Sequence, residues 1–386
     1  METIIAHLDL DTFFVSVLRR DFPELNGKPI LIGGASDRGV VAACSYETRK
    51  FGVHSAMPMK LAKKLCPEAL VLKGDFESYA RASKEVTEML EDRAPVVEKT
   101  SIDEFYLDLS GMDRFIGAVQ FASELRRSVM EETRLAISMG ISPVKVVSKM
   151  ATEEAKPNGQ LYLRTDEVQP FLNPLPVSRI PMVGEVTARK LRNMGILTVG
   201  MLAHMPKKLL EKTFGKAGIV LWERANGIDP TPVHQHWEQR SHSKETTFDK
   251  DTTDVVMIRR LLVRMTEELA YDLRREQSST GCVTVKIRYS NFDTHTRQLQ
   301  VTPTTSDQEL IGYVLDMFER LYDRRLLIRL VGIRFSKLVR GLEQLGLFDG
   351  SSKVVPLYHA MDRIRLKHGE RMVGRALSYS FDQIRS

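Results

Sequence analysis

Two short acidic stretches in this sequence could carry chemistry. Asp9-Leu10-Asp11 closes an apolar, β-compatible run from Thr3 to Leu10, and the two-residue period of a strand places both carboxylates on one face. Asp103-Glu104 sits in KTSIDEFYLDL (99 to 109), between strands expected over Val96 to Ser101 and Phe105 to Leu109. Adjacent carboxylates at a turn repel each other unless a cation lies between them. Alone, either stretch reads as a surface turn with solvated acids. If the first strand pairs beside the hairpin, Asp9, Asp103 and Glu104 converge into a hard-oxygen site suited to two Mg²⁺ ions. Such a pair clamps the attacking and leaving oxygens of a phosphoryl transfer.

The elements that must position these residues alternate between strand and helix. Helical spacing runs over Ser78 to Leu90 and Phe115 to Glu132, Leu135 to Ile141 is another apolar strand, and Ser142-Pro143 is expected to start a helix as cap and first-turn proline. Residues 166–232 hold short helical pieces broken by prolines and glycines, which reads as a small all-helical domain, and residues 233–240 read as a linker. A strand, helix Val255 to Glu276, strands Cys282 to Tyr289 and Thr296 to Val301, helix Asp307 to Tyr322 and strand Ile328 to Leu338 then form a β-α-β-β-α-β unit, a four-stranded sheet with helices on one face. The tail from Gly341 reads as an exposed segment followed by an amphipathic helix over Leu357 to His368.

The 386 residues allow two to four compact units, and 42% hydrophobic with 27% charged side chains is the composition of a folded chain rather than a disordered one. No apolar run has the length of a membrane span, and METIIAHLDLD places acids where an export signal needs a basic region, so a soluble cytoplasmic protein is expected. Cys44, Cys66 and Cys282 are too scattered for a disulfide framework or a CxxC zinc site, and the nine histidines form no ligand spacing. The net charge of +6 divides unevenly, −2 over residues 1–165, then +3, +3 and +2 over residues 166–240, 241–340 and 341–386. Positive charge therefore collects away from the acidic stretches, where a polyanion could be gripped.

HLDLDTFF (7 to 14), SYETRKFGV (45 to 53), TSIDEFYLDL (100 to 109) and GISPVKVVSKMATEEAKPNG (140 to 159), in this order, resemble the Y-family DNA polymerases of the DinB or polymerase IV type, which copy past damaged template bases. The resemblance runs from Ile5 to about Leu338. It implies an α+β multidomain, right-handed fold: a ferredoxin-like palm (1–11 and 74–165), small fingers (12–73), an all-helical thumb with a helix-hairpin-helix (166–232), and a little finger (241–340) that binds DNA. The implied reaction is attack of a primer 3′-hydroxyl on the α-phosphate of a deoxynucleoside triphosphate, directed by primer-template DNA, at low fidelity and without proofreading. Other two-metal reactions, of cyclase or nuclease type, and a non-catalytic DNA-binding or clamp-recruited factor on the same scaffold are the competing readings.

At matching positions the resemblance implies metal binding by Asp9, Asp103, Glu104 and the carbonyl of Leu10. It implies a steric gate against the ribonucleotide 2′-hydroxyl at Phe14, with Phe13 left to core packing, and triphosphate contacts from Tyr46, Arg49 and Lys156. IPMVG (180 to 184), TARKL (187 to 191) and GILT (195 to 198) look like the helix-hairpin-helix, whose turn at Gly184 would offer backbone N–H groups to a DNA phosphate. Ser243, Thr246, Thr247, Arg288 and Arg334 are candidate contacts to the DNA backbone in the last domain. In the tail, Gln344, Leu345, Leu347 and Phe348 resemble the short peptide that bacterial polymerases insert into a sliding clamp. A monomer associated with the nucleoid and with no membrane contact is implied. The sequence departs from the family pattern at Leu18, where Glu is usual, at Ala43, where many members have Thr, and at Met182, where the hairpin usually has its first Gly.

Overall fold

The computed structural model describes residues 3–341 and 354–378, apart from residues 35, 37, 113–116, 236–238, 323–325 and 370–371. The chain folds as two compact units, Met1–Trp237 and Glu238–Ser386.

The first unit begins β1 (Ile5–Leu10), α1 (Phe13–Asp21), β2 (Ile30–Gly33), β3 (Val41–Cys44), α2 (Tyr46–Arg49), α3 (Met59–Leu65), β4 (Leu70–Leu72) and α4 (Phe76–Arg93). It continues β5 (Val96–Lys99), β6 (Glu104–Asp108), α5 (Ala118–Thr133), β7 (Ile137–Ser142), α6 (Lys145–Ala155) and β8 (Gln160–Tyr162). Five short helices complete it: α7 (Val168–Leu172), α8 (Glu185–Asn193), α9 (Val199–Ala203), α10 (Lys207–Phe214) and α11 (Lys216–Ala225).

The main sheet has the order β5-β6-β1-β7-β8, antiparallel except for β7 and β8. Every residue of β1 is buried because helices cover both faces. Ala6, Leu8 and Leu10 pack with Tyr79, Val86 and Leu90 of α4 and Leu125 and Val129 of α5, each large side chain contributing about 1.5–3 kcal/mol. The opposite face carries His7, whose Nδ1 meets Thr152 Oγ1 of α6 at 2.9 Å. Gly140 of β7 makes this approach possible, since a Cβ there would lie 2.2 Å from the Ser148 carbonyl oxygen. The far side of α6, with Val146, Val147 and Met150, packs among Leu172, Leu191, Leu202 and Leu210 of the short helices. A smaller sheet, β3-β2-β4, lies with α1, α2 and α3 between β1 and α4 in the chain.

Ser142-Pro143 does not open a helix. Pairing with β1 continues through Ser142, opposite Ile5, a residue before proline is held extended, and α6 starts at Lys145 without a side-chain cap.

The second unit runs β9 (Ser241–Thr252), α12 (Val255–Arg275), β10 (Ser278–Tyr289), β11 (Thr294–Thr304), α13 (Asp307–Leu321), β12 (Ile328–Arg340) and α14 (Val354–His368). Its antiparallel sheet has the order β11-β10-β12-β9, with α12 and α13 packed on Val283, Val285, Val331 and Phe335, the β-α-β-β-α-β arrangement read from the sequence. The tail helix is fastened to the rest of the unit. Arg274 Nε meets Asp362 at 2.6 Å and Arg274 Nη1 meets Asp307 at 2.6 Å, while the buried Tyr358 hydroxyl accepts from Gln308 N at 3.2 Å. Burial opposes the charge of Arg274, yet the hydrogen bond to Asp362 and the charge of Asp307 hold its pKa above the usual arginine value. Gln344, Leu345, Leu347 and Phe348 lie outside the described residues. Among the described residues no helix is long and apolar enough to cross a membrane.

Candidate active site

The register of β1 with β6 sets Asp9 directly opposite Glu104, on the sheet face that α6 covers. Like charges so placed, with Cβ atoms about 5 Å apart, are destabilising without compensation. Compensation comes from lysines along α6 and just beyond it. Lys149 Nζ donates to both oxygens of Glu104 at 2.6 and 2.5 Å, and Lys156 Nζ to Asp9 Oδ2 at 2.8 Å and Glu153 at 2.7 Å. One turn before Lys149, Lys145 Nζ donates to the buried Glu98 at 2.6 Å and to the Pro232 carbonyl at 2.8 Å. Glu98 also accepts the backbone N–H of His234 at 2.7 Å, so the start of the expected linker is tied to the sheet. Asp103 stands in the hairpin turn, where its carboxylate accepts from Ser101 Oγ at 2.5 Å and its carbonyl accepts from Leu10 N at 3.0 Å.

Burial raises the Asp9 carboxyl to about 7, although the charge and hydrogen bond of Lys156 work against the rise. Burial likewise opposes the Lys156 ammonium, but Asp9 and Glu153 raise its pKa overall. The strand register thus sets Asp9 opposite Glu104, and a backbone bond joins Asp103 to Leu10, while the three side chains turn to different partners. Among the described residues no three carboxylate, imidazole or thiol groups stand around one point, because each acid turns to its own donor. The donor set is anionic and all oxygen, which fits a hard divalent cation once the lysines yield. Lys149 was missed from the sequence; its signal is the four-residue spacing from Lys145, which sets both ammonium groups on one helix face.

Beyond β1 the chain turns sharply. Thr12 has φ +43°, a left-handed conformation costly for a β-branched residue, and it starts α1. Phe13 enters the core as expected, while half-buried Phe14 stacks on Tyr79 with ring centroids 4.2 Å apart and contacts Phe76 edge-on at 5.7 Å. Tyr79 and Phe76 therefore fix the position of Phe14 beside the acidic strand ends. Tyr46 and Arg49 begin and end α2, with the exposed Arg49 guanidinium 5.1 Å over the Tyr46 ring. Tyr46 Oη donates at 2.9 Å to buried Asp11, and burial, reinforced by the Asp11 charge, raises the phenol pKa. Asp11 also accepts from Ser138 Oγ and from Asn158 N at 2.7 Å, contacts that the sequence reading did not anticipate.

Gly184 is the N-cap of α8, and Met182, 90% exposed, has φ +70°. A methionine therefore holds the left-handed turn that glycine adopts without strain. In the second unit Ser243, Thr247, Arg288 and Arg334 share the outward sheet face, since Arg334 pairs with Ser243 and Arg288 is aligned through Leu330 with Thr247. Thr246 pairs with buried Val331 and so falls on the helix-facing side, because a neighbour in a strand points the opposite way.

Known proteins resemble this chain in sequence and fold. The model of the impB/mucB/samB family matches residues 8–153, that of its C-terminal domain residues 239–347, and that of the IMS family HHH motif residues 165–196. The DNA polymerase IV of Dehalococcoides mccartyi is 37% identical over 379 residues, 97% of each chain. That of Methanoculleus marisnigri is 39% identical over 350 residues, 90% of this chain and 97% of the relative. Among solved structures, a Y-family DNA polymerase chimera matches with a TM-score of 0.79 at 26% identity, over 88% of this chain and 100% of that one. The insertion ternary complex of Dbh DNA polymerase matches with a TM-score of 0.64 at 27% identity and the same coverage. With nearly full-length similarity and family matches along both units, the chain belongs to the Y-family DNA polymerases of the DNA polymerase IV type.

Proposed function

We propose that this DNA-directed DNA polymerase of translesion type works through two Mg²⁺ ions held by Asp9, Asp103, Glu104 and the Leu10 carbonyl. The observation that carries the reading is the β1–β6 register, which brings Asp9 and Glu104 together at the end of the sheet that also leads into Phe14. Bound there, divalent ions would supply Lewis-acid stabilisation to the attacking and leaving oxygens. With the carboxylates turned to such ions, Lys149 and Lys156 would be released from them. Lys156, Arg49 and Tyr46 then take the triphosphate of the incoming deoxynucleotide, and Phe14, braced by Tyr79, excludes a 2′-hydroxyl by overlap.

In this reading residues 1–11 and 74–165 are the palm, 12–73 the fingers, 166–232 the thumb and 241–340 the little finger. Gly184 in the thumb, and Ser243, Thr247, Arg288 and Arg334 in the little finger, contact the primer-template backbone without reading its sequence, Thr246 being set apart by its face. Synthesis in this reading proceeds without proofreading, as the family resemblance implies. Gln344, Leu345, Leu347 and Phe348 recruit a sliding clamp to a monomeric enzyme working at the nucleoid.

Primer extension over a panel of damaged templates tests this. Wild-type protein with Mg²⁺ extends past at least one lesion and leaves a mismatched 3′ end untrimmed, whereas Asp103→Ala extends nothing. Extension by Asp103→Ala at the wild-type rate would end the assignment of the site.

A further inference from the structure

Asp11 is two residues from Asp9, yet its surroundings are different. No ammonium or guanidinium lies within ion-pair reach of it among the described residues; its carboxylate is filled by hydrogen-bond donors instead. Oδ1 accepts from Tyr46 Oη at 2.9 Å and Ser138 Oγ at 3.0 Å, and Oδ2 accepts from Ser138 Oγ at 2.9 Å and Asn158 N at 2.7 Å. The residue is 2% exposed. Its neighbour Thr12, at φ +43°, turns the chain into α1, and Asp11 N donates to the Ala136 carbonyl at 2.9 Å, so the side chain is held in the interior.

These donors come from three separate places: α2, β7 and the loop after α6. The loop is gripped from its other side as well, because Arg126 donates to the Asn158 carbonyl at 2.8 Å and to its Oδ1 at 2.7 Å, and to the Ile137 carbonyl at 2.7 Å. Asn158 itself has φ +48°, a conformation that needs such support. Two residues before Asn158 stands Lys156, and across the carboxylate stands the Tyr46 hydroxyl. One buried anion thus joins two groups that have no direct contact with each other in sequence.

We propose that Asp11 is a positioning residue for the triphosphate of the incoming nucleotide, holding Tyr46 and the Lys156 loop at a set separation while touching neither substrate nor metal. This rests on the reading of Tyr46 and Lys156 as triphosphate contacts. Lys156 must swing from Asp9 to a phosphate, and a side chain can swing reproducibly only from a fixed backbone. Charge-assisted hydrogen bonds donated to the buried Asp11 carboxylate supply that fixity. Asp11→Ala leaves the Asn158 N–H and the Tyr46 hydroxyl without their acceptor. Asp11→Asn keeps one acceptor oxygen and turns the other into a donor facing donors.

The test is steady-state single-nucleotide incorporation by the full chain, with DNA affinity and melting temperature measured on the same preparations. Asp11→Ala should raise KM for the deoxynucleotide about tenfold or more, the loss expected of one or two such hydrogen bonds, while kcat falls less and DNA affinity is unchanged. Asp11→Asn should lie between, and keeps the test alive if the alanine variant does not fold. The combined Asp11→Asn, Tyr46→Phe protein should lose less than the product of the single effects, since the two substitutions break the same contact. A loss of kcat at unchanged KM, or fully multiplicative effects, would overturn the proposal. Lys156→Ala separates the two layers. If it leaves KM unchanged, the triphosphate reading falls and takes this proposal with it. If it raises KM while the folded Asp11 variants do not, only the role of Asp11 is wrong.

Discussion

On the main sheet of the first unit, three lysines meet three carboxylates pair by pair, Lys145 with Glu98, Lys149 with Glu104 and Lys156 with Asp9, at 2.6, 2.5 and 2.8 Å. On the outward sheet face of the second unit, Arg334 is exposed and Arg288 donates through Nε to the Thr294 hydroxyl, while Lys286 pairs with Glu245 near the surface. The first arrangement is charge placed atom by atom between covered layers, where the cost of a missing partner is high. The second is charge spread over an open face, where solvent screens each pair. One suits the metals and triphosphate proposed for the first unit, which need a single geometry. The other suits the sequence-independent DNA grip proposed for the second.

The contrast can be broken most forcefully at the carboxylates. Glu104→Gln should lower single-nucleotide incorporation by on the order of a thousandfold or more while DNA affinity stays within a few-fold, as measured by rapid-quench kinetics and anisotropy. Comparable losses in both quantities would mean that the site also serves as a general DNA grip. Next in size is stability. Lys145→Met strands the buried Glu98 and should cost about 3–5 kcal/mol in denaturant unfolding, whereas Lys286→Met, on the open face, should cost under about 1 kcal/mol. Equal costs would erase the distinction between placed and spread charge. Phe14→Ala should relax discrimination against ribonucleotides by about 10- to 100-fold, the scale of relieving a steric overlap, with deoxynucleotide incorporation less affected. The smallest effects belong to the second unit. Arg288→Ala and Arg334→Ala should each weaken DNA binding uniformly across sequences and reduce the slope of log affinity against log salt by about one. A change in kcat without a change in that slope would place these side chains elsewhere in the cycle.

Much of this was legible in the residues because period-two and period-3.6 patterns survive in long elements. Helices α12 and α13 lie within a residue of their expected ends, and the hairpin at Asp103-Glu104 stands where it was read. What could not be read depends on contacts between distant segments. Lys149 is an ordinary helical lysine until β6 places Glu104 beneath it, and Asp11 becomes a junction only when Tyr46, Ser138 and Asn158 close around it. The Ser142-Pro143 reading failed because strand pairing overrode a local capping signal. Thr246 and Thr247 are both candidates for one DNA-facing sheet face, although adjacent strand residues face opposite ways. The tail helix had the right pattern, but the partners of its Asp362 and Tyr358, Arg274 and Gln308, lie on elements that no periodicity in the tail reveals.

The most direct test of the central claim is to count the divalent ions bound by the complete complex. Wild-type protein with primer-template DNA, a chain-terminated primer and a deoxynucleoside triphosphate is titrated with Mn²⁺ and followed by electron paramagnetic resonance. Two tightly bound ions per chain are expected, falling to one or none in Asp9→Ala and Asp103→Ala. Two ions bound equally well by those variants would contradict the assignment of the metals to this site.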